Sequence, residues 1–347
     1  MAELGTLDEL PQAYLDALKQ QDLVPLWPFL RSFLPYDIPD RKARPALWRY
    51  SSVRPLLLEA GELTPIEKAE RRVLVLCNPG YPPKDAKITP TIYIGLQYIK
   101  PGEVAPNHKH SPSAVRLVIE GTGGFTSVEG EKLPMEPGDL ILTPPGLWHE
   151  HGHEGTGPVI WVDALDLPLV HGIEASYSVE GAPQKIANML DRSQTHYRRS
   201  GLLPYDSIGK TQPDYPLLRF PWRDVRSNLI DLSQVRNPGE IVHLAYVNPH
   251  TGEECMPVLG FSALMLREGE EIHMRRRSCS AVLHVVEGGG DVEIDGQAFK
   301  WENHDIMAVP NHSKVVLQNN SSKSPAFLFL IDDAPLQRKM KIYEEFE

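Results

Sequence analysis

The chain has 347 residues, of which 41% are hydrophobic and 23% are charged, and its formal net charge at pH 7 is −11. The acidic balance argues against nucleic acid or an anionic membrane surface as a partner. No apolar run approaches the roughly 20 residues of a membrane span, and the first residues lack the pattern of a signal peptide. The 3 cysteines have no Cys-x-x-Cys spacing. We therefore expect a cytoplasmic protein in a reducing compartment.

The N-terminal region contains the clearest helical patterns. Pro11 can occupy the first turn of a helix whose apolar face includes Leu15 and Leu18. Residues 64–67 form a capping-box signature, and residues 71–76 have the β-branched content of a strand. Across the whole chain, 32 prolines and 26 glycines are spread between short apolar runs. This pattern predicts a helical N-terminal arm followed by a mainly β chain.

A weak internal repeat predicts two copies of one β-barrel unit. Four short features recur in the same order, at an offset of 167 residues for the first two and 166 for the last two. The matching positions are Gly102 and Gly269, 118–121 and 285–288, Asp139 and Asp305, and Pro144 and Pro310.

The first copy carries three histidines in a spacing typical of metal ligands: His108, His110 and His149. Three neutral imidazoles hold a divalent ion on one side and leave the other side free for substrate. At the positions that match the first two, the second copy has Arg275 and Arg277. We therefore expect the first barrel to bind metal and the second to lack metal ligands.

Strand alternation predicts a cation beside this metal. If residues 108–118 run extended, Ala114 and Arg116 share the inward face of the metal ligands. In many barrels of this type a glutamate three or four residues after the second histidine is a fourth ligand, and here those positions hold Ala114 and Val115. The ion would therefore keep its full charge, and Arg116 adds a second positive charge nearby. Such a pocket needs an anion, and we expect an acidic substrate. An ion pair with Glu120 or Asp163 is the alternative role for Arg116.

Five further residues on neighbouring strands are candidates for the site. His151 shares a face with the third ligand and can contact a metal-bound group or act as an acid or base, unless the segment is a histidine-rich turn. Tyr93, Gly95 and Gln97 align on one strand and suit a flat polar ligand, although the polar ones can be satisfied barrel groups. Asp163 is expected to orient a histidine or an arginine.

The histidine motifs within residues 108–121 and 144–151 resemble those of the cupins. Taken as a whole, these two stretches are similar to those of the gentisate 1,2-dioxygenase family of ring-cleaving bicupins. The resemblance extends over most of the chain, including 78–80 and 332–335. It implies a mainly β bicupin, with two jelly-roll β-barrels and a helical N-terminal arm. The implied segments are 1–85 (the arm and first strands), 86–168 (the metal-binding barrel), 169–235 (a linker with arm segments) and 236–347 (the second barrel).

The resemblance also implies an activity. An Fe(II) enzyme of this kind inserts both atoms of O2 between the carboxyl-bearing and hydroxyl-bearing ring carbons of gentisate and gives maleylpyruvate, and family members suggest a homotetramer. The implied roles are iron ligation by His108, His110 and His149, contact with the carboxylate by Arg116, Gln97 and Arg72, contact with the hydroxyl by His151, and support by Asp163. Arg71 is expected to be structural.

Other functions remain open at this point. Gly95 is expected to leave space beside the iron, so salicylate, substituted gentisates and 1-hydroxy-2-naphthoate are alternative substrates. Tyr93 at the pocket edge would favour the second ring hydroxyl of gentisate. A metal-dependent cupin isomerase commonly retains the glutamate that is absent here, and Arg116 argues against it. A bicupin that binds a ligand without turnover is the other alternative, and the open coordination face argues against it.

Overall fold

A computed structural model of the protein describes residues 4–185, 191–199, 201–211 and 213–346. Residues 4–42 belong to one compact unit, and Ala43 begins a second unit that contains the rest of the described chain. The first unit contains helices α1 (Gln12–Gln20) and α2 (Leu30–Phe33). Helix α1 begins directly after Pro11, and Leu15 and Leu18 are its least exposed residues, as the periodicity predicts.

The second unit contains six further helices among the described residues. Pro65 directly precedes the first turn of the second of them, so the predicted capping box is not formed and no side-chain cap bond is present there. No described helix has both the length and the apolar character needed to cross a membrane. The helices are α3 (Tyr50–Leu63), α4 (Ile66–Ala69), α5 (Leu167–Gly172), α6 (Arg192–Tyr197), α7 (Trp222–Val235) and α8 (Ala334–Met340).

The strands confirm the mainly β prediction. Up to residue 220 they are β1 (Ala46–Trp48), β2 (Arg72–Val75), β3 (Tyr93–Ile99), β4 (Val104–His110), β5 (Ala114–Glu120), β6 (Gly124–Val128), β7 (Glu131–Pro134), β8 (Leu140–Thr143), β9 (His149–His153), β10 (Val159–Leu165), β11 (Ser178–Glu180) and β12 (Arg219–Phe220). The later strands are β13 (Val242–Ala245), β14 (Gly260–Leu266), β15 (Glu271–Met274), β16 (Arg276–Arg277), β17 (Ala281–Glu287), β18 (Gly290–Ile294), β19 (Gln297–Trp301), β20 (Ile306–Val309), β21 (Val315–Asn319), β22 (Ala326–Asp332) and β23 (Glu345–Phe346).

The two halves have the same sheet topology, which confirms the bicupin fold. The first jelly roll combines a six-stranded sheet, β12-β8-β5-β10-β3-β2, with a five-stranded sheet, β11-β4-β9-β6-β7. The second combines β1-β20-β17-β22-β14-β13 with β15-β21-β18-β19, and β16 pairs with β23. The two six-stranded sheets match strand for strand.

Each six-stranded sheet is completed by a strand from outside its own half. Strand β1 precedes the first barrel but pairs with β20 of the second, and β12 follows the first barrel and pairs with its β8. Each of these pairings joins strands from two different segments of the four expected from the sequence. The segment boundaries at 85, 168 and 235 stay a prediction. The outer face of the second barrel's large sheet, including Phe327 and Phe329, belongs to the same apolar core as the first barrel.

The interiors of the two barrels differ in polarity. Arg116 pairs with Asp163 across β5 and β10, whereas the same register in the second barrel joins Leu283 and Leu330. Burying a polar group without full compensation costs about 1–3 kcal/mol, so the fold alone gives no reason to keep these polar residues. Further polar and aliphatic matches are Gln97 with Leu264, Thr126 with Val292, Thr143 with Val309, His149 with Val315, and His151 with Leu317.

Candidate metal centre and pocket

The three predicted ligands meet inside the first barrel. His108 and His110 end β4, and His149 begins β9, where it pairs directly with His108. One ligand atom from each residue lies within 4.8 Å of the others. The ring centroids are 4.1 Å apart for His108 and His149 and 4.7 Å apart for His110 and His149. The structure therefore brings the three imidazoles to one point.

Backbone carbonyls fix the orientation of all three rings. The Nδ1 atom lies 2.8 Å from a carbonyl oxygen in His108, 2.7 Å in His110 and 2.9 Å in His149. A carbonyl can only accept, so each Nδ1 carries the proton and each Nε2 presents a lone pair. The Nε2 atom of His149 is buried and has no protein partner. Three such donors fit a divalent metal ion with an open side.

Burial keeps the three rings neutral. It lowers the pKa of His108 to about 3 and that of His110 to about 4, with further lowering by Arg71 and Arg116. It also lowers the pKa of His149 well below the ordinary value, assisted by Arg116. Imidazoles must be unprotonated to bind a metal, so the site is prepared for one at neutral pH.

A cavity of about 300 Å³ opens beside the histidines. That volume is at the lower end of the roughly 300–1,000 Å³ of small-molecule sites. Two arginines and two carboxylates line it, so it suits a polar ligand. The lining residues are Ala69, Glu70, Arg71, Val73, Tyr93, Gln97, His108, His110, Ala114, Arg116, Asp163, Leu165 and Leu167.

Arg116 is held from two sides. Its Nε lies 3.4 Å from Oδ1 of Asp163, which also accepts a 2.9 Å hydrogen bond from Nε1 of Trp161. Its Nη1 donates to Oγ1 of Thr143, whose own hydroxyl proton goes to the carbonyl oxygen of Ala114 at 2.9 Å. Burial lowers the pKa of Arg116 to about 10, which leaves it charged at neutral pH.

The pairing with Asp163 decides one question that the sequence left open. Asp163 is the carboxylate beside Arg116, while Glu120 instead receives hydrogen bonds from Arg54. Burial raises the pKa of Asp163, and Arg116 opposes that rise.

The structure places Arg72 away from the pocket, which corrects the expected contact with a substrate carboxylate. Arg72 is buried, pairs with Glu103, and lies over the ring of Tyr98 at 5.2 Å. Side chains alternate along a strand, so its neighbour Arg71 faces the cavity instead. The guanidinium of Arg71 lies 2.9 Å from Glu70. Arg71, which was expected to be structural, is the second arginine of the pocket.

Gly95 also differs from its expected role. A Cβ atom at this position would lie 2.4 Å from Cγ1 of Val73 and 2.7 Å from the hydroxyl of Tyr93. The space above the glycine is therefore filled by Tyr93, and Gly95 does not line the cavity. Tyr93 does line it, and burial raises the pKa of its phenol, which stays protonated. Gln97 lines the cavity with no hydrogen-bond partner for its amide in the described chain.

His151 lies beside the metal ligands and is not among the residues that line the cavity. It is fully buried, and its ring centroid lies 5.8 Å from that of His149 and 6.3 Å from that of His108. Its Nδ1 lies 2.9 Å from Oγ1 of Thr126, and its Nε2 is buried without a protein partner. Neither Thr126 nor Thr143 was found from the sequence, although both match valines in the second repeat, and that contrast could have revealed them.

A cupin barrel that holds three histidines beside an open polar pocket defines a metal-dependent cupin. Residues 95–165 match the cupin domain family. The chain is 47% identical to gentisate 1,2-dioxygenase of Ralstonia sp over 342 residues, which is 99% of this chain and 96% of that one. It is 34% identical to 5-aminosalicylate 1,2-dioxygenase of Comamonas sp, with 96% of this chain and 90% of that one covered.

The fold comparison agrees with the sequence comparison. A crystal structure of salicylate 1,2-dioxygenase from Pseudoaminobacter salicylatoxidans, as adducts with gentisate, matches with a TM-score of 0.90 and 31% identity, covering 100% of this chain and 95% of that one. The chain belongs to the gentisate 1,2-dioxygenase family and is an oxidoreductase.

Proposed function

We propose that this protein is an Fe(II)-dependent gentisate 1,2-dioxygenase that inserts both atoms of O2 between the carboxyl-bearing and hydroxyl-bearing ring carbons and forms maleylpyruvate. The observation that carries the proposal is the set of three neutral imidazoles, each with its Nε2 lone pair free, beside a buried arginine. Bound Fe(II) would supply a centre at which an aromatic acid and O2 exchange electrons.

Charge accounting supports an anionic substrate. The three ligands are neutral, and Arg116 is paired with Asp163. A divalent ion would therefore keep a charge of about +2, which suits a ligand with a carboxylate and an adjacent phenolate. Because residue 114 is alanine and not glutamate, no carboxylate from this position offsets the metal's charge, and the substrate's own oxygens can do so.

The pocket residues have distinct parts in the proposal. Arg116 binds the substrate carboxylate through a charge-assisted hydrogen bond, oriented by Thr143 and Asp163. Gln97 offers an amide that has no described protein partner. Arg71, in place of Arg72, provides the second cation at the pocket.

Two further residues address the ring hydroxyls. His151 contacts the hydroxyl next to the carboxylate, since its buried Nε2 has no protein partner. Tyr93 keeps a neutral phenol at the cavity wall and binds the second ring hydroxyl. That contact would favour gentisate over salicylate, which lacks this hydroxyl, and over 1-hydroxy-2-naphthoate.

A homotetramer in the cytoplasm completes the proposal, with two barrels of which the first carries the metal. Within residues 4–42 large apolar side chains are exposed, including Leu23 at 60%, Val24 at 68% and Phe33 at 68%. Such side chains on an arm are typical of surfaces that other subunits cover. Sedimentation of the purified protein would test the assembly.

Anaerobic reconstitution with Fe(II) tests the activity. The reconstituted protein is mixed with gentisate, salicylate, 5-aminosalicylate or 1-hydroxy-2-naphthoate, and oxygen uptake and the absorbance of the ring-opened product are followed after air is admitted. We expect uptake to be fastest with gentisate. A His149→Ala variant should lose both metal and uptake, and His153→Gln, whose ring hydrogen-bonds to Gly155 and Gly157, should keep the metal. Failure of all four acids to consume oxygen would refute a dioxygenase.

A further inference from the structure

One hydrogen-bonded pair of side chains beside the metal ligands has no counterpart in the second barrel. Thr126 on β6 and His151 on β9 are directly opposite each other in the antiparallel ladder. Both side chains have 0% exposure, and Oγ1 of Thr126 lies 2.9 Å from Nδ1 of His151. The matching pair in the second barrel is Val292 and Leu317. The fold is therefore stable at this place without any hydrogen bond.

The group that faces Nδ1 separates His151 from the metal ligands. In His108, His110 and His149 that group is a carbonyl oxygen, which only accepts, so their protons lie on Nδ1. In His151 it is a hydroxyl, which can donate. His149 and His151 lie on one strand, but Nδ1 of His149 faces an acceptor, whereas Nδ1 of His151 faces a group that can donate.

Donor and acceptor accounting decides which way the Thr126 bond runs. The described chain offers the Thr126 hydroxyl no other acceptor. If His151 donated from Nδ1, the threonine proton would be buried without a partner, at a cost of about 1–3 kcal/mol. If Thr126 donates, that proton is satisfied, and the ring proton must lie on Nε2. Because Nε2 of His151 has no protein partner in either tautomer, the threonine proton is the group that distinguishes the two.

We propose that Thr126 is a positioning residue that fixes His151 in the tautomer with its proton on Nε2, so that His151 donates a hydrogen bond to an oxygen of the substrate at the metal centre. The role in turnover rests on the proposed function, whereas the tautomer does not. The arrangement also keeps His151 from becoming a fourth metal ligand, because a protonated Nε2 has no lone pair for the ion.

The tautomer can be measured without substrate. In the metal-free protein labelled with ¹⁵N-histidine, two-bond proton–nitrogen correlations distinguish Nε2–H from Nδ1–H rings, and a His151→Gln variant assigns the signal. We expect Nε2–H for His151 in the wild type and in Thr126→Ser, and its loss in Thr126→Val. A proton on Nδ1 of His151 in the wild type would overturn the proposal, and this spectrum decides even if Thr126→Val fails to fold.

Kinetics of the Fe(II)-loaded protein test the consequence. Thr126→Val should lower kcat by about 10- to 100-fold, the usual effect of losing a residue that orients a metal-site histidine, with iron content and KM near the wild-type values. Thr126→Ser should restore the rate. The matched control is Thr89→Val, which removes a buried hydroxyl that bonds to Ser280, and it should leave kcat unchanged. Equal kcat for Thr126→Val and wild type would contradict the proposal, whereas an inactive wild type would contradict only the proposed function.

Discussion

Replacing Arg116 by leucine separates its structural and substrate-binding roles, because leucine is the residue that the second barrel has at this position, as Leu283. The substitution leaves the buried Asp163 without its cation. Breaking a buried pair in this way costs about 3–5 kcal/mol of folding stability, less whatever Asp163 recovers by taking up a proton. The lost charge-assisted bond to substrate is worth about 1.5–3 kcal/mol, or roughly 10- to 150-fold in kcat/KM.

A second substitution, Asp163→Asn, removes the stranded charge and keeps the oxygen that Trp161 needs. We expect the Arg116→Leu/Asp163→Asn protein to regain most of the folding stability that Arg116→Leu loses. It should regain none of the kcat/KM that Arg116→Leu loses. Urea unfolding gives the first quantity, oxygen uptake against gentisate concentration gives the second, and metal analysis should show iron unchanged in both. If the double variant binds gentisate as tightly as the wild type, Arg116 is purely structural and the reasoning fails.

Three further outcomes follow from the same geometry. Arg71→Gln should raise KM for gentisate several-fold, whereas Arg72→Gln should mainly lower the thermal midpoint; the reverse pattern in steady-state kinetics would restore the sequence-based assignment. Gly95→Ala must displace Val73 and Tyr93, since its Cβ would lie 2.4 Å from Cγ1 of Val73 and 2.7 Å from the phenol oxygen, and it should change the gentisate-to-salicylate ratio of kcat/KM; an unchanged ratio would show that the phenol does not select substrate. Burial lowers the pKa of His108 to about 3, below the ordinary 6.5, so the unfolded chain takes up the proton first. The contribution of His108 to the free energy of unfolding of the metal-free protein should therefore be constant above pH 6.5 and fall by up to about 1.4 kcal/mol per pH unit as the pH falls towards 3. Urea titrations from pH 7.5 to 4.5 in which the free energy of unfolding does not fall would contradict a neutral, buried His108.

Much of the metal site could be predicted from the chain alone. His108 and His110 are two residues apart on one strand, so alternation places both on one face. His149 was added by its spacing from the preceding glycines and Pro144. The repeat, although weak, correctly indicated two barrels, because each copy keeps the turn residues that close the same strands.

The role expected of Arg72 came from the family resemblance, which does not show at which residue the strand begins. Strand β2 begins at Arg72, and Arg71 precedes it after Glu70, which has a positive φ of 55°. Neighbouring residues on a strand face opposite sides, and the structure places Arg71, and not Arg72, at the cavity. For Gly95, the sequence shows a missing side chain but not that Tyr93, two residues earlier, folds over the vacant space.

The sequence by itself determined the class of site: three histidines, no glutamate, an arginine on the same face, and a second copy without the histidines. Only the tertiary structure decided how these residues are held. Thr126 and His151 are 25 residues apart, and only the pairing of β6 with β9 brings them together. Short-range spacing determines which side chains share a strand face. The hydrogen-bond partner of each ring nitrogen depends on how the chain folds around it. That partner determines which nitrogen can bind metal and which can donate a proton.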